Sequence, residues 1–183
     1  MGEAINLVNN FKVKKVVFNC GELNNLENEL IEVLDRKKIK YYSCIKELNV
    51  DKYKLQFLNT KEYDNENDNS SVFYFNYNSY KFLFMGDAGV EKEKDILEKY
   101  NISDIDFLKV GHHGSNTSSS ELFINSINPK YSLISVGKNN RYGHSKDEVL
   151  DILSNSKIYR TDLNGSIEVK LNKNGYKIKT CSP

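Results

Sequence analysis

Cysteine, histidine and net charge are all scarce in this chain, and each scarcity narrows what it can be. Only three of its 183 residues are cysteine, Cys20, Cys44 and Cys181. They form no C-x-x-C pair and leave an odd one over, which argues against a disulfide framework and against a structural zinc site. The expectation is free thiols in a reducing compartment. Basic and acidic residues nearly cancel, 26 against 25, for a net charge of +1. The surface as a whole is therefore not marked for nucleic acid, although a local basic groove stays open. No apolar run is long enough to span a bilayer, and the N-terminus lacks the basic-then-apolar order of a signal peptide, so the chain reads as soluble. Without an interdomain linker or an internal repeat, the length suits a single domain over 1–183. The apolar fraction is modest at 39%, but it comes in periodic runs, so the surplus of Asn and Lys reflects coding bias and not disorder.

Those runs set out the elements. Ile5, Leu7, Val8 and Phe11 form an apolar stripe at helical spacing over 2–11. Val16-Val17-Phe18 reads as a short buried strand, and Leu26, Leu30, Ile31 and Leu34 as the inward face of a helix. Strands are expected at 41–45 and 53–58, followed by a solvated loop over 60–69 whose charge run needs no functional explanation. The aromatic-rich stretches 71–77 and 80–85, joined at Asn78-Ser79, predict an antiparallel hairpin. From Gly86 the texture changes to strand–helix alternation. A helix over about 90–100 leads to a strand at 106–110. Helices starting at Ser118 and Ser145 each carry the Ser-x-x-Glu spacing of a capping box, with Glu121 and Glu148, and a strand at 131–136 lies between them. The end is β, at 156–160, 166–171 and 176–181. A mixed sheet with helices on its face and antiparallel closing strands places the chain in the α/β class.

What the chain does have is a small set of reactive side chains at strand ends. All three histidines lie in Gly111-His112-His113-Gly114-Ser115 and Tyr142-Gly143-His144, and Asp87 ends the strand before them. Histidine and aspartate are the residue types that hold catalytic zinc, manganese or iron, and such chemistry is usually built on loops held by a rigid sheet. A carboxylate at the tip of an apolar strand must be paired, hydrogen-bonded or metal-bound; capping a helix is the plainer role for Asp87. The glycines around His112 and His113 allow close backbone approach to a ligand, and a helix N-terminus just beyond would favour phosphate near Ser115. If the backbone is extended there, neighbouring imidazoles point apart and one binds a given metal; a hydrogen-bonded turn is the alternative. In Gly137–His144, Lys138, Asn140 and Arg141 suit phosphate oxygens and His144 suits a metal or a leaving group, unless the segment is only a solvated polar loop.

Four stretches in order, Phe84-Met85-Gly86-Asp87, Asp106 through Ser115, Ile134 through His144, and Tyr159-Arg160-Thr161-Asp162, resemble one group. It is the metallo-β-lactamase-like domain of the ComEC competence family, a DNA-uptake channel, and of related stand-alone hydrolases. The likeness runs from residue 1 to near the end and is strongest over 82–166. It implies an αββα sandwich. It also implies that Asp87 is a carboxylate bridging two metals and that His113, or else His112, is a ligand. His144 would be a ligand, a substrate contact or a proton donor. Where the family continues with proline, Ser145 stands, which as a helix cap is expected to matter little.

One departure is large. Such domains carry an H-x-H-x-D-H motif that supplies most of the metal ligands, and no histidine precedes His112. Met1-Gly2-Glu3-Ala4-Ile5 fits the place just after that motif. The expectation is therefore an incomplete domain lacking the first strands and that motif. For the complete domain the resemblance implies zinc or manganese and a DNA or nucleotide phosphodiester, with the parent protein in the cell membrane and this domain outside the membrane core. For this chain alone it implies weak or absent activity and no bound metal, with a homodimer covering the exposed sheet edge. Two alternatives stay open: a non-catalytic DNA- or nucleotide-binding module, and a metallohydrolase for another small ester.

Overall fold

A computed structural model describes residues 3–182. Seven strands make one mixed sheet in chain order: β3 (Glu47–Val50), β4 (Tyr53–Phe57), β5 (Phe73–Tyr77), β6 (Tyr80–Phe84), β7 (Phe107–Lys109), β8 (Tyr131–Ile134) and β9 (Lys157–Arg160). From β3 to β6 neighbours are antiparallel; from β6 to β9 they are parallel. Tight turns close β3 to β4 and β5 to β6, the latter putting Asn78 and Ser79 at φ +48° and +72°, whereas the long segment 58–72 joins β4 to β5. Parallel neighbours need crossovers, which helices α3 (Val90–Lys99), α4 (Glu121–Ile127) and α5 (Asp147–Ile152) supply. The segments leaving β6, β7, β8 and β9 therefore all emerge at one edge of the sheet. The expected α/β class, the 71–85 hairpin and the helix near 90–100 are all present.

The period-2 pattern of these strands separates two faces. Leu83, Met85, Leu108, Val110 and Ile134 point to a core closed by Ile96, Phe123, Ile127, Val149 and Leu153, all buried. On the other face, directly paired residues stack ring on ring. Phe82 lies 4.7 Å from Phe107, and Phe107 lies 5.2 Å from Tyr131, with interplanar angles of 13° and 14°. The row continues through Phe75 and Phe73 to Phe84. Each such pair adds about 0.5–1.5 kcal/mol beyond its area burial. Tyr176 meets Phe107 and Tyr131 edge-on, docking the closing hairpin of β10 (Ser166–Asn172) and β11 (Gly175–Cys181).

A smaller unit precedes the sheet: α1 (Ala4–Asn10), β1 (Lys15–Phe18), α2 (Asn25–Arg36) and β2 (Lys40–Ser43), with β1 and β2 parallel. Val8, Phe18, Leu30, Val33 and Leu34 form its own core. Of the predicted inward face of α2, Leu30 and Leu34 are buried but Leu26 is 49% exposed, its place taken by Val33. Leu7 and Phe11 also face outward. The expectation of free thiols is overturned for two of the three. Cys20 and Cys44 form a disulfide, and Cys181 is free and exposed. The parallel register ends at Phe18 opposite Ser43, so the chain just past each strand brings the two thiols together, which spacing along the sequence does not reveal. Among the described residues no helix is long and apolar enough to cross a membrane.

Three local expectations also fail. The 60–69 stretch is not a plain solvated loop: Tyr63, Asp68 and Asn69 are buried. Asn69 bonds the backbone of Tyr63 through both amide atoms, and Asp68 accepts the Gly89 N–H at 2.7 Å. Ser118 does not cap α4. Its hydroxyl donates to the Gly111 and Ser115 carbonyls, and Ser120 caps the helix instead, while buried Glu93 accepts from the Ser119 and Ser120 N–H groups. Nor does Ser145 cap α5; its hydroxyl donates to the His113 carbonyl. In each case a partner other than the expected one takes the side chain, across the fold for Asp68 and Ser145 and within the preceding turn for Ser118. Strand β3 and a four-residue helix α6 (Thr161–Asn164) carry no clear periodic signal.

Phe107→Ala, which opens the centre of the aromatic row, should lower unfolding free energy by about 3–5 kcal/mol, read as a fall in the urea midpoint. A second prediction concerns Lys92, which is 3% exposed and donates to the Ser70 carbonyl at 2.8 Å. Burial pushes its pKa down to about 8, with Asp68 opposing. Between about pH 8 and the unfolded value of 10.5, the unfolded chain binds the extra proton, so stability should rise with pH in that window. Lys92→Met should flatten that rise; an unchanged slope would refute the assignment.

Candidate active site

Asp87 sits three residues beyond the end of β6 and does not cap α3, whose cap is Gly89. Its own N–H is held by the Ser70 hydroxyl at 3.1 Å. Gly86 makes the turn with φ +61°, and a Cβ there would lie 2.9 Å from the Ser70 Cβ, so this position needs glycine. Ser70 is fixed in turn by Lys92. The carboxylate is left half-exposed, 46%, at one end of a hollow of about 550 Å³ whose apolar wall includes Leu7, Val8, Val16 and Leu30.

The two histidines after β7 are not in extended backbone. Gly111–Gly114 is a 3-10 turn in which His112 and His113 take left-handed φ of 44° and 56°. Such values are uncommon outside glycine and here turn the two rings to different partners. The His112 N–H donates to the Gly86 carbonyl at 3.0 Å, which ties this turn to Asp87. The His113 Nδ1 lies 2.6 Å from the Ser135 carbonyl. A carbonyl only accepts, so Nδ1 carries the proton and, in the neutral ring, Nε2 presents its lone pair. That Nε2 lies 3.8 Å from Asp87 Oδ1. Two electron-pair donors facing one point attract a cation or a proton. His113 is thus the histidine paired with Asp87, while His112 bonds Thr117 and its ring lies 5.9 Å from that of His144.

The third histidine comes from the long turn after β8. Asn140 takes the His144 N–H on its amide oxygen at 2.8 Å and donates to the His144 carbonyl at 2.6 Å, so this side chain builds the loop. The Lys146 N–H donates to the Gly114 carbonyl, and Gly114 at φ +78° has no room for a Cβ beside Ser145; the two loops are locked together. Burial, then the neighbouring His112, Lys146 and His113, push the His144 pKa down, so at neutral pH the ring is uncharged. Its Nδ1 is buried without a hydrogen-bond partner. Lys138 and Arg141 are exposed on the same loop. Ser115 is buried, bonded to Thr117, and no helix begins just after it, because α4 starts only at Glu121.

Several participants were not legible as site residues: Ser70, Ser135, Thr117 and Thr161, which holds both backbone groups of Val136. Lys109 is another. It is partly buried on the face of Phe107, its pKa lowered by burial and opposed by Asp87; a lysine alternating with an aromatic at a strand end was the available signal.

Asp87 and His113 thus lie 3.8 Å apart, and His113 and His144 share the wall of a neighbouring hollow. Among the described residues, however, no three His, Cys, Asp or Glu side chains converge closely enough to hold a metal ion. A catalytic zinc takes about three protein ligands, and Asp87 with His113 makes two. The donors described here do not fit a complete metal centre.

Residues 33–138, more than half the chain, match the metallo-beta-lactamase superfamily, whose members generally bind divalent metals. The chain is 33% identical over 177 residues to ComE operon protein 3 of Bacillus subtilis (strain 168), covering 93% of this chain and 23% of that protein. It is 35% identical over 129 residues to Competence protein ComA of Neisseria gonorrhoeae, covering 67% and 18%. It is 30% identical over 106 residues to Recombination protein 2 of Haemophilus influenzae, covering 57% and 13%. It spans less than a quarter of the length of each of these relatives. The competence-family resemblance of the four motifs is thereby met by whole-chain similarity, and the sheet, its parallel half and the strand-end histidines agree with it: the chain belongs to the metallo-beta-lactamase superfamily.

Proposed function

We propose that this chain is part of a competence-type hydrolase that acts on DNA phosphodiesters, presenting Asp87, His113 and His144 to the bond to be broken. The observation that carries the reading is the carboxylate–imidazole pair at 3.8 Å, both groups half-exposed, beside a loop bearing Lys138, Arg141 and Lys146. Cleaving a phosphodiester requires charge neutralisation on phosphate oxygens and a group to take up a proton. The loop cations serve the first need and neutral His144 the second. Similarity to proteins named for competence and recombination supports DNA over other esters.

Two donors are too few for a dinuclear centre, so the same proposal holds that the chain by itself cleaves DNA weakly or not at all. Isothermal titration with zinc or manganese should give at most one weak site per chain, abolished by Asp87→Asn or His113→Ala; tight uptake of two ions would defeat the reading.

The second reading, a module that binds DNA without cutting it, is favoured by the same shortage of donors. Its expected signature is DNA binding that weakens steeply between about 50 and 200 mM salt, with no strand scission in the presence of manganese. Scission by the wild-type chain that Asp87→Asn abolishes would reject this second reading in favour of the first.

A further inference from the structure

Beside the catalytic pair lies a second hollow, of about 420 Å³, walled by Val136, Thr161, Tyr142, His144 and His113. Three features give it a chemical character. First, Tyr142 is a large aromatic left 60% exposed; its ring is stacked on that of His144 at 5.8 Å and 18°, which holds it at the rim. Second, the Arg141 guanidinium sits 4.8 Å from the centre of the Tyr142 ring and donates to its hydroxyl at 2.5 Å. Third, no carboxylate is among the walls of the hollow, and Lys138, Arg141 and Lys146 all lie on the turn that forms it.

We propose that this hollow is a subsite for one unpaired nucleotide of single-stranded DNA, with the base seated against Tyr142 and its phosphates among the loop cations. The inference rests on the phosphodiester reading above and narrows it to single strands. Its volume falls within the range of about 300–1,000 Å³ typical of small-ligand pockets. An aromatic face with a guanidinium beside it is the pairing that holds bases without regard to sequence. A base seated there has its face covered and its edge turned into the fold, so it cannot be paired. Duplex DNA is therefore excluded from the hollow while its backbone still meets the cations. Because His113 belongs to both this hollow and the pair with Asp87, the seated nucleotide lies next to the groups proposed to act on its phosphodiester. Tyr142 is thus a specificity residue: it selects unpaired bases and takes no part in proton transfer.

The test is fluorescence-anisotropy binding of a labelled oligothymidylate, an abasic strand of equal length and a blunt duplex to the wild-type chain, Tyr142→Ala, Tyr142→Phe and Arg141→Ala. Tyr142 is exposed, so its substitutions leave the core intact. Tyr142→Ala should weaken oligothymidylate binding by about tenfold; Tyr142→Phe should stay within about twofold of wild type. On the abasic strand and the duplex all three Tyr142 forms should bind alike. Equal affinity of Tyr142→Ala and wild type for oligothymidylate, or an equal loss on the abasic strand, overturns the subsite. If Arg141→Ala alone weakens every ligand, the phosphodiester reading stands and the nucleotide subsite falls. If the wild type binds none of the three, both fall.

Discussion

Lateral registration of the parallel strands is the constraint on which the site depends. Three loops from separate parts of the chain meet only because β6, β7 and β8 end at one level. Their ladders pair Phe82 with Phe107 and Phe107 with Tyr131. The hydrogen bonds alone leave such a register weakly specified, since shifting a strand by one residue would reverse its faces. Here a shift would drive the aromatic row into the helix-covered core and pull Leu83, Leu108 and Ile134 away from the helices that cover them. Losing the packing of both faces at once is what keeps Asp87 beside His113.

Below the surface, a set of buried polar groups holds the loops once the strands have placed them. Lys92 grips the Ser70 carbonyl, and the Ser70 hydroxyl holds the Asp87 N–H. Asp68 and Glu93 take N–H groups around the start of α3 and of α4. Each of these charges is costly to desolvate unless bonded. Burial shows in their titration, lowering the lysine and raising the Glu93 carboxyl despite its two backbone donors. Loops rich in left-handed residues, Gly86, His112, His113 and Gly114 among them, need such anchoring, because their own backbone bonds are few.

The electrostatics of the edge is asymmetric. A lone-pair nitrogen and a carboxylate face each other on one side, and three cations with an aromatic ring stand on the other. The first arrangement attracts positive charge and the second attracts phosphate. A nucleic-acid strand crossing from one to the other would meet both, which is why the cleavage reading and the binding reading share one surface and differ only in whether enough ligands gather around Asp87 and His113.

Periodicity determined every sheet strand but β3, the 71–85 hairpin, the three crossover helices and the strand-end position of Asp87, His112, His113 and His144, because alternating and helical spacing report directly which side chains must leave water. The preference for His113 over His112 came from the family resemblance and not from spacing. Tertiary structure decided the rest. Ser118 and Ser145 have capping-box spacing yet bond carbonyls outside the helices they precede, and Asn140 holds the backbone of His144. Cys20 and Cys44 meet across a parallel strand pair, and Asp68 and Asn69, in a stretch polar enough to pass for solvated loop, are buried anchors. The physical reason is common to all of these. A polar side chain has several partners of similar energy within reach, and only the packed chain settles which of them is close enough to bond, whereas an apolar side chain has a single alternative to water.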